Sequence, residues 1–221
     1  MRQEVIRAIL RYKIIAIIRN VPPEDILFAA EALYLGGIRL LEVTFDQASA
    51  DGSDSTVRSI ELLNERYAGR VWTGAGTVMS VEQVYLAANA GARFILSPNT
   101  DQSVIEATVK AGLVSIPAAL TPTEAANGRQ WGADMIKLFP AGNMGAGYVK
   151  ALQGPMSHIP YLAVGGIDDE NMMDFFKAGV KGVGVGSNLV NSRWIREGRF
   201  TDITEAAKRY TSKLMAGSDH G

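Results

Sequence analysis

The chain has 221 residues, 47% of them hydrophobic and 20% charged, a mixture that is ordinary for one barrel-sized globular domain. Its net charge of −1 gives no general attraction to nucleic acid or to an anionic membrane, and the absence of cysteine excludes disulfides, thiolate metal sites and a cysteine nucleophile. No apolar run approaches the roughly 18 residues of a membrane span, and the charged N-terminal segment lacks a signal-peptide core, so we expect a cytoplasmic protein.

An amphipathic pattern at 2–12 predicts an opening helix, and the short apolar runs after it predict strands. Glycines such as Gly112 and Gly179 close a helical pattern just before the next apolar run, which is a signal for the C-terminal end of a helix. A helix followed by a short apolar strand, repeated along a chain, is typical of β/α units with a parallel sheet. The eight predicted strands lie at 14–19, 38–44, 71–75, 93–97, 113–117, 134–139, 160–164 and 182–186.

Eight β/α units in a chain of this length predict an α/β fold, a single (β/α)8 TIM barrel over residues 1–221 with an extra N-terminal helix that covers its bottom. An open doubly wound sheet is the alternative. We also expect a polar loop at 48–55, a last outer helix at 200–215 and a frayed tail at 215–221.

Three charged residues stand late in predicted strands. Arg19 ends the first strand, Glu42 lies in the second and Lys137 lies in the sixth. Alternate residues of a barrel strand point into the interior, and active sites lie at the carboxyl ends of the strands. If these side chains point inward, they converge toward one end of the barrel.

Two interpretations of this convergence are open. A strand lysine is commonly solvent-facing, and a Glu–Lys pair is often a structural ion pair. However, a buried lysine near Arg19 favours its neutral amine form, which attacks carbonyls to give a Schiff base. Glu42 is then suited to carry the protons that such chemistry requires. The second interpretation predicts a site for carbon–carbon cleavage or proton transfer next to a carbonyl.

Glycines at the ends of the last two strands predict a phosphate site. Gly165 and Gly166 follow the seventh strand, and Gly186 and Ser187 follow the eighth, where barrels commonly bind phosphate. Turn glycines without a ligand are the alternative, and the acidic residues at 168–170 would repel phosphate if they faced it.

An ordered set of short motifs resembles the 2-keto-3-deoxy-6-phosphogluconate (KDPG) and 4-hydroxy-2-oxoglutarate (KHG) aldolases over about residues 8–215. These are class I, Schiff-base aldehyde-lyases on a (β/α)8 barrel. No single motif is specific, whereas their order along the chain is. The motifs are EVT at 42–44, GAGTV at 74–78, SPN at 97–99, IPAALTPTE at 116–124, KLFPA at 137–141, VKALQGP at 149–155, VGGI at 164–167 and VGS at 185–187.

The resemblance implies roles for particular residues. Lys137 would form the Schiff base and Glu42 would be the general acid and base. Thr77, Pro98 and Phe139 would line the pyruvate pocket. The phosphate would be held by Gly165, Gly166, Gly186 and Ser187.

The resemblance also implies a reaction. The family needs no metal or cofactor, is typically a homotrimer, and releases pyruvate plus an aldehyde, which is glyceraldehyde 3-phosphate for the sugar acid. The expected setting is carbohydrate metabolism of the Entner–Doudoroff type. A phosphosugar isomerase or epimerase on a similar barrel, with Lys137 as an electrostatic helper, is one alternative; a non-catalytic phosphosugar-binding barrel is another.

One position departs from the family pattern. Many members carry an arginine two residues after EVT that helps to hold the substrate carboxylate, whereas this chain has Asp46 there. Galactonate-type members also lack that arginine and, like this chain, end the first strand with one, so Arg19 is expected to hold the carboxylate. The substrate therefore stays open between gluconate-type, galactonate-type and other 2-keto acids. Asp46 either contacts sugar hydroxyls or pairs with Arg19.

Overall fold

The computed structural model describes residues 2–49 and 52–218, and a ring of parallel strands forms its centre. Every strand pair in this part of the chain is parallel, and the strands follow one another around a single sheet in the order β5-β4-β3-β2-β1-β9-β8-β7-β6. Their bounds are β1 Ile14–Ile18, β2 Leu40–Thr44, β3 Trp72–Gly76, β4 Phe94–Leu96, β5 Val114–Ile116, β6 Ala118–Ala119, β7 Ile136–Leu138, β8 Tyr161–Val164 and β9 Gly182–Val185.

The ring is interrupted at a proline. Strands β5 and β6 stand at opposite ends of the hydrogen-bonded order, yet Pro117 alone separates them in the chain. Proline has no N–H to give to a ladder, so the strand predicted at 113–117 ends at Ile116, and β6, which was not predicted, follows the proline. The chain itself thus joins the two ends of a nearly closed barrel. The predicted (β/α)8 barrel with an N-terminal helix is confirmed, and the doubly wound alternative is wrong.

The helices surround the barrel, and several begin at side chains that cap them. Ser80 accepts a hydrogen bond from the Gln83 N–H and Asp101 accepts one from Val104, which satisfies groups that a helix start leaves free. The bounds are α1 Arg2–Tyr12, α2 Pro23–Leu35, α3 Gly52–Tyr67, α4 Val81–Asn89, α5 Gln102–Lys110, α6 Pro122–Gln130, α7 Ala141–Met156, α8 Met172–Lys177, α9 Ser192–Arg196 and α10 Phe200–Ser218.

Two of the predicted boundaries differ from the structure. Helix α3 begins at Gly52, inside the loop predicted at 48–55, and residues 50–51 lie outside the described part of the chain. Helix α10 continues to Ser218, so the tail predicted to fray from Met215 is helical that far, and residues 219–221 are not described. In the described ranges no helix has the length and apolar character needed to cross a membrane.

The barrel interior is filled from below. Ile15, Leu40 and Met135 of the barrel pack with Val5 and Ile9 of α1 in one buried cluster. Burying each such aliphatic side chain contributes about 1.5–3 kcal/mol relative to leaving it exposed. Helix α1 therefore covers the amino-terminal end of the strands, and polar side chains inside the barrel gather at the other end.

Hydrogen bonds fasten α1 in this place. The Arg2 Nε atom donates to both carboxylate oxygens of Asp134, at 3.1 and 3.0 Å, and Arg2 Nη2 donates to the Gly132 carbonyl at 3.1 Å. The same Asp134 accepts from the Ser115 N–H at 2.9 Å. One carboxylate, which precedes β7 in the chain, thus joins α1 to β5.

Candidate active site

A cavity of about 500 Å³ opens at the carboxyl ends of the strands, and all ten residues predicted for the site line it. They come from the strands of seven of the eight β/α units, or from the loops that follow those strands. Residues distant in sequence therefore line one cavity. The predicted residues are Arg19, Glu42, Thr77, Pro98, Lys137, Phe139, Gly165, Gly166, Gly186 and Ser187.

Lys137 is the middle residue of β7, with Ala118 of β6 and Leu162 of β8 as its neighbours in the sheet. The residue is only 6% exposed. Its Nζ atom lies 4.9 Å from the centroid of the Phe139 ring, within range of a cation–π contact. The ammonium form nevertheless loses most of its hydration there, which is costly for a single charge.

Glu42 is more deeply buried, with 1% of its surface exposed, and the backbone of β3 makes room for it. A Cβ atom at Gly76 would lie 1.8 Å from Glu42 Oε1, so a residue larger than glycine would displace the carboxylate. The Glu42 Oε2 atom is buried and has no hydrogen-bond partner in the described ranges. A buried carboxylate oxygen of this kind opposes folding, and such groups are commonly retained for chemistry.

Burial shifts both groups toward their uncharged forms. It raises the pKa of Glu42 above its ordinary 4.5, against the opposing influence of the Lys137 and Arg19 cations. It lowers the pKa of Lys137 below its ordinary 10.5; the Glu42 carboxylate opposes this change and the Arg19 cation adds to it. A neutral amine is a nucleophile and a protonated carboxyl is a proton donor, so the pair suits addition to a carbonyl.

Arg19 and Thr77 meet at the rim of the cavity. Arg19 Nη2 donates to Thr77 Oγ1 at 3.3 Å, and the guanidinium stays open to solvent.

Asp46 does not join Arg19 and Thr77. Its Oδ1 accepts from the Ala48 N–H at 2.9 Å, and the residue lines a neighbouring cavity of about 260 Å³. No ion pair joins Asp46 to Arg19 within residues 2–49, so the pairing hypothesis is wrong for this structure.

The loop of Gly165 and Gly166 has an irregular backbone. Gly165 and Gly166 have φ of +86° and +73°, a region that favours glycine. The Gly165 carbonyl accepts from the Gly142 N–H at 2.7 Å, and the Gly166 carbonyl accepts from Asn171 Nδ2 at 2.8 Å. These bonds engage both carbonyl oxygens of the loop.

Two of the three acidic residues beside these loops, Asp168 and Asp169, have partners of their own. Asp168 Oδ1 accepts from the N–H groups of Glu170 and Asn171, at 2.9 and 2.8 Å. Asp169 lies 3.3 Å from Lys213 and 3.7 Å from Arg209 of α10. At Asp168 and Asp169 the repulsion of phosphate anticipated from the acidic run is therefore offset by local hydrogen bonds and by cations, whereas Glu170 is exposed to solvent.

Sequence reasoning missed some of the lining. Asn188 faces the cavity and donates from Nδ2 to the Ile167 carbonyl at 3.2 Å, which joins the two glycine loops. It directly follows the predicted Gly186-Ser187 pair, so extending that motif by one residue would have found it. Among the described residues, no group of three or more His, Cys, Asp and Glu side chains could hold a metal ion.

A barrel with a buried lysine and carboxylate in its open end defines a class of barrel enzymes, and comparison with known proteins gives the family. The family model for KDPG and KHG aldolases matches residues 5–206. The 2-dehydro-3-deoxy-6-phosphogalactonate aldolase of Escherichia coli K12 is 34% identical over 80% of this chain and 83% of its own. The 2-dehydro-3-deoxy-phosphogluconate aldolase of Treponema pallidum is 29% identical over 93% of this chain and 95% of its own.

A solved structure adds chemical information. The KDPG aldolase of Legionella pneumophila, with pyruvate captured as a covalent carbinolamine intermediate, is 30% identical and has a TM-score of 0.82 over 91% of this chain and 95% of that one. The chain belongs to the KDPG and KHG aldolase family. These matches support the Schiff-base aldolase predicted from the sequence and do not favour an isomerase, an epimerase or a non-catalytic barrel.

The burial of Glu42 and Lys137 predicts that their charges oppose folding. The double variant Glu42→Gln/Lys137→Met should raise the free energy of unfolding at pH 7 by about 1–3 kcal/mol, since it replaces two groups that are charged in the unfolded chain and costly to bury with neutral groups of similar size. Because the pKa of Glu42 is raised, its contribution to the free energy of unfolding is most favourable below pH 4.5 and becomes less favourable as the pH rises. Because the pKa of Lys137 is lowered, its contribution to the free energy of unfolding is most favourable above pH 10.5 and becomes less favourable as the pH falls.

The free energy of unfolding, measured with urea, should therefore differ most between the double variant and the wild type at intermediate pH. The difference should shrink toward pH 4 and toward pH 10.5. The control is Glu205→Gln/Lys208→Met, which removes an exposed pair on α10 at 2.8 Å and should leave stability nearly unchanged. A double variant at the site that is less stable than the wild type at pH 7 would show that the buried pair stabilises the fold.

Proposed function

We propose that the protein is a class I aldolase that cleaves a 2-keto-3-deoxy-6-phospho sugar acid, 4-hydroxy-2-oxoglutarate, or both, to pyruvate and an aldehyde. For the sugar acid the aldehyde is glyceraldehyde 3-phosphate. The observation that carries the proposal is the buried Lys137 beside a buried Glu42 whose Oε2 has no hydrogen-bond partner in the described residues. Burial favours the neutral amine, which is the form that attacks a keto group.

The first half of the reaction joins the substrate to the enzyme. The Lys137 amine adds to the C2 keto carbon and gives a carbinolamine. Glu42 protonates the departing hydroxyl, water leaves, and the product is an iminium that links the lysine to C2. Its positive charge attracts electrons from the bond between C3 and C4.

The second half breaks that bond. Glu42, directly or through a water, takes the proton from the C4 hydroxyl, so that C4 becomes the aldehyde carbon and the C3–C4 electron pair moves into an enamine. The aldehyde leaves, C3 is protonated, and water adds to the iminium to release pyruvate and the free lysine. One carboxylate serves as acid and base in turn, which a raised pKa favours.

The ends of the substrate require binding groups of different chemistry. We assign the carboxylate to Arg19 and Thr77, whose side chains meet at the rim, and the pyruvate portion to Pro98 and Phe139. We assign phosphate binding to the loop of Gly165 and Gly166 and to the loop of Gly186 and Ser187. Of the two epimers we propose the galactonate, on the strength of Arg19, of Asp46 in place of the family arginine, and of the Escherichia coli relative.

Assembly and cellular setting are proposed from the family resemblance. We expect a homotrimer in the cytoplasm that serves sugar-acid breakdown of the Entner–Doudoroff type. Light scattering of the purified protein should give three times the mass of one chain, and a monomer or dimer would contradict the trimer.

A coupled assay tests the activity. The phosphorylated galactonate and gluconate keto acids and 4-hydroxy-2-oxoglutarate are supplied separately, and a pyruvate-reducing dehydrogenase reports release of pyruvate. The wild type should release pyruvate fastest from the galactonate epimer, and Lys137→Met should abolish release from all three because the nucleophile is gone. Release of pyruvate by Lys137→Met at the wild-type rate would falsify the covalent mechanism.

Arg19→Ala tests the carboxylate site. Removing the cation should raise KM for 2-keto acids about tenfold, with a smaller change in kcat, because the exposed guanidinium contributes binding more than chemistry. The matched control is Arg58→Ala, whose guanidinium pairs with Glu61 on the surface of α3. Near-normal kinetics of Arg19→Ala on all three substrates would refute the assignment.

Gly186→Asp tests the phosphate site with little steric disturbance. The nearest atom to a Cβ at Gly186 is Ile17 Cβ at 4.0 Å, so a side chain fits, and an aspartate there brings a negative charge to the cavity. Activity on phosphorylated substrates should fall at least tenfold more than activity on 4-hydroxy-2-oxoglutarate, which has no phosphate. Gly186→Asn has the same size without the charge and should discriminate much less; equal losses for both kinds of substrate with Gly186→Asp would contradict a phosphate role.

A further inference from the structure

Two glutamine side chains form a chain of hydrogen bonds at the rim of the cavity. Gln83 Nε2 donates to Gln47 Oε1 at 3.1 Å, and Gln47 Nε2 donates to the Thr77 carbonyl at 2.7 Å. Gln83 Oε1 in turn accepts from the Met79 N–H at 2.8 Å. We call Gln47 and Gln83 together the amide relay. It links the loop after β2 to the start of α4 and ends on a residue that lines the cavity.

Backbone groups fix the direction of the amide relay. The Met79 N–H can only donate, so Gln83 must present its oxygen to it and its NH2 group to Gln47. The Thr77 carbonyl can only accept, so Gln47 must present its NH2 group to Thr77 and its oxygen to Gln83. The two ends agree, and neither amide can turn over without breaking two bonds at once.

The relay ends at a residue with a strained backbone conformation. Thr77 has φ of +56°, a left-handed conformation that β-branched residues rarely adopt. Ladder-like bonds hold the residues on either side, from the Phe45 N–H to the Gly76 carbonyl at 2.9 Å and from the Val78 N–H to the Leu96 carbonyl at 3.2 Å. Gln47 supplies the bond to Thr77 itself, which holds this peptide group in its unusual orientation.

That orientation decides where the Thr77 hydroxyl lies. In this conformation Thr77 Oγ1 faces the cavity and accepts from Arg19 Nη2 at 3.3 Å. A relaxed Thr77 backbone would rotate the hydroxyl and remove the contact that orients the exposed guanidinium. The amide relay therefore acts on both groups to which the substrate carboxylate is assigned, although neither glutamine lines the cavity.

We propose that Gln47 and Gln83 are positioning residues that hold Thr77 and Arg19 ready for the substrate carboxylate; this inference rests on the proposed function. Gln47 directly follows Asp46, the position at which the family arginine is missing. The loop after β2 thus serves the carboxylate site indirectly, through the Thr77 backbone, instead of supplying a cation.

Two variants test the relay with little disturbance of the fold. Gln47→Met keeps the length of an exposed side chain and removes both of its hydrogen bonds. Gln83→Glu still accepts from the Met79 N–H, so the start of α4 stays capped, yet it cannot donate to Gln47 Oε1. The control is Gln102→Met on α5, which loses an exposed amide bond to Glu106 of 2.8 Å and does not line the cavity.

The measurement is kcat and KM of each variant with the best 2-keto acid, together with its melting temperature. Gln47→Met and Gln83→Glu should each raise KM about threefold to tenfold, with kcat within about twofold of the wild type and the melting temperature unchanged. The two changes combined should raise KM no more than Gln47→Met alone, because both break one chain of bonds. Gln102→Met should match the wild type.

Each other outcome has a definite meaning. An active wild type whose KM is unaffected by Gln47→Met overturns the relay and leaves the aldolase proposal standing. A loss of kcat with a lowered melting temperature, at unchanged KM, also overturns it, because the residue is then structural. A wild type without aldolase activity on any of the three substrates overturns the proposed function, and the relay's role falls with it.

Discussion

Two ionisable groups, Lys137 and Glu42, are buried together at the one open end of a barrel, and the rest of the site depends on that burial. The low polarity of the surroundings disfavours both charges, so the pKa of the lysine falls and that of the glutamate rises. In water the same two groups would be an ammonium and a carboxylate with little reactivity toward a keto carbon. Burial converts them into a nucleophile and a proton carrier, at a cost in folding free energy that the remainder of the barrel must offset.

The fold provides this burial through features far apart in sequence. Helix α1 fills the lower end and is fastened by the Arg2–Asp134 ion pair, and the cavity opens at the upper end. Gly76 gives the Glu42 carboxylate its space, and Gly74 does the same for the ring of Phe94 below it. The positive charge of Arg19 lies at the rim, where it remains hydrated and still favours the neutral form of Lys137.

Much of this arrangement was predictable because a strand alternates its side chains with a period of two. The parity of Lys137 and Glu42 and their positions late in their strands sufficed to predict that they face one cavity. Strand β6 was missed because the predicted fifth strand ended at Pro117, and two alanines after a proline carry no strand signal of their own. The local use of Asp46 was also missed, since its bond to the Ala48 N–H depends on the path of a loop. The Gln47–Gln83 contact joins residues 36 positions apart and has no periodic signal in the sequence.

The central claim is that the buried Lys137 is the group that reacts with a keto acid. The most direct measurement is to incubate the protein with pyruvate and borohydride, which reduces an iminium to a stable amine, and to locate the added mass by peptide mass spectrometry. The account predicts a single pyruvate-derived modification, on the peptide that contains Lys137, and its disappearance when Lys137 is replaced by methionine. A modification on another lysine at comparable yield, or no modification in an active enzyme, would contradict it.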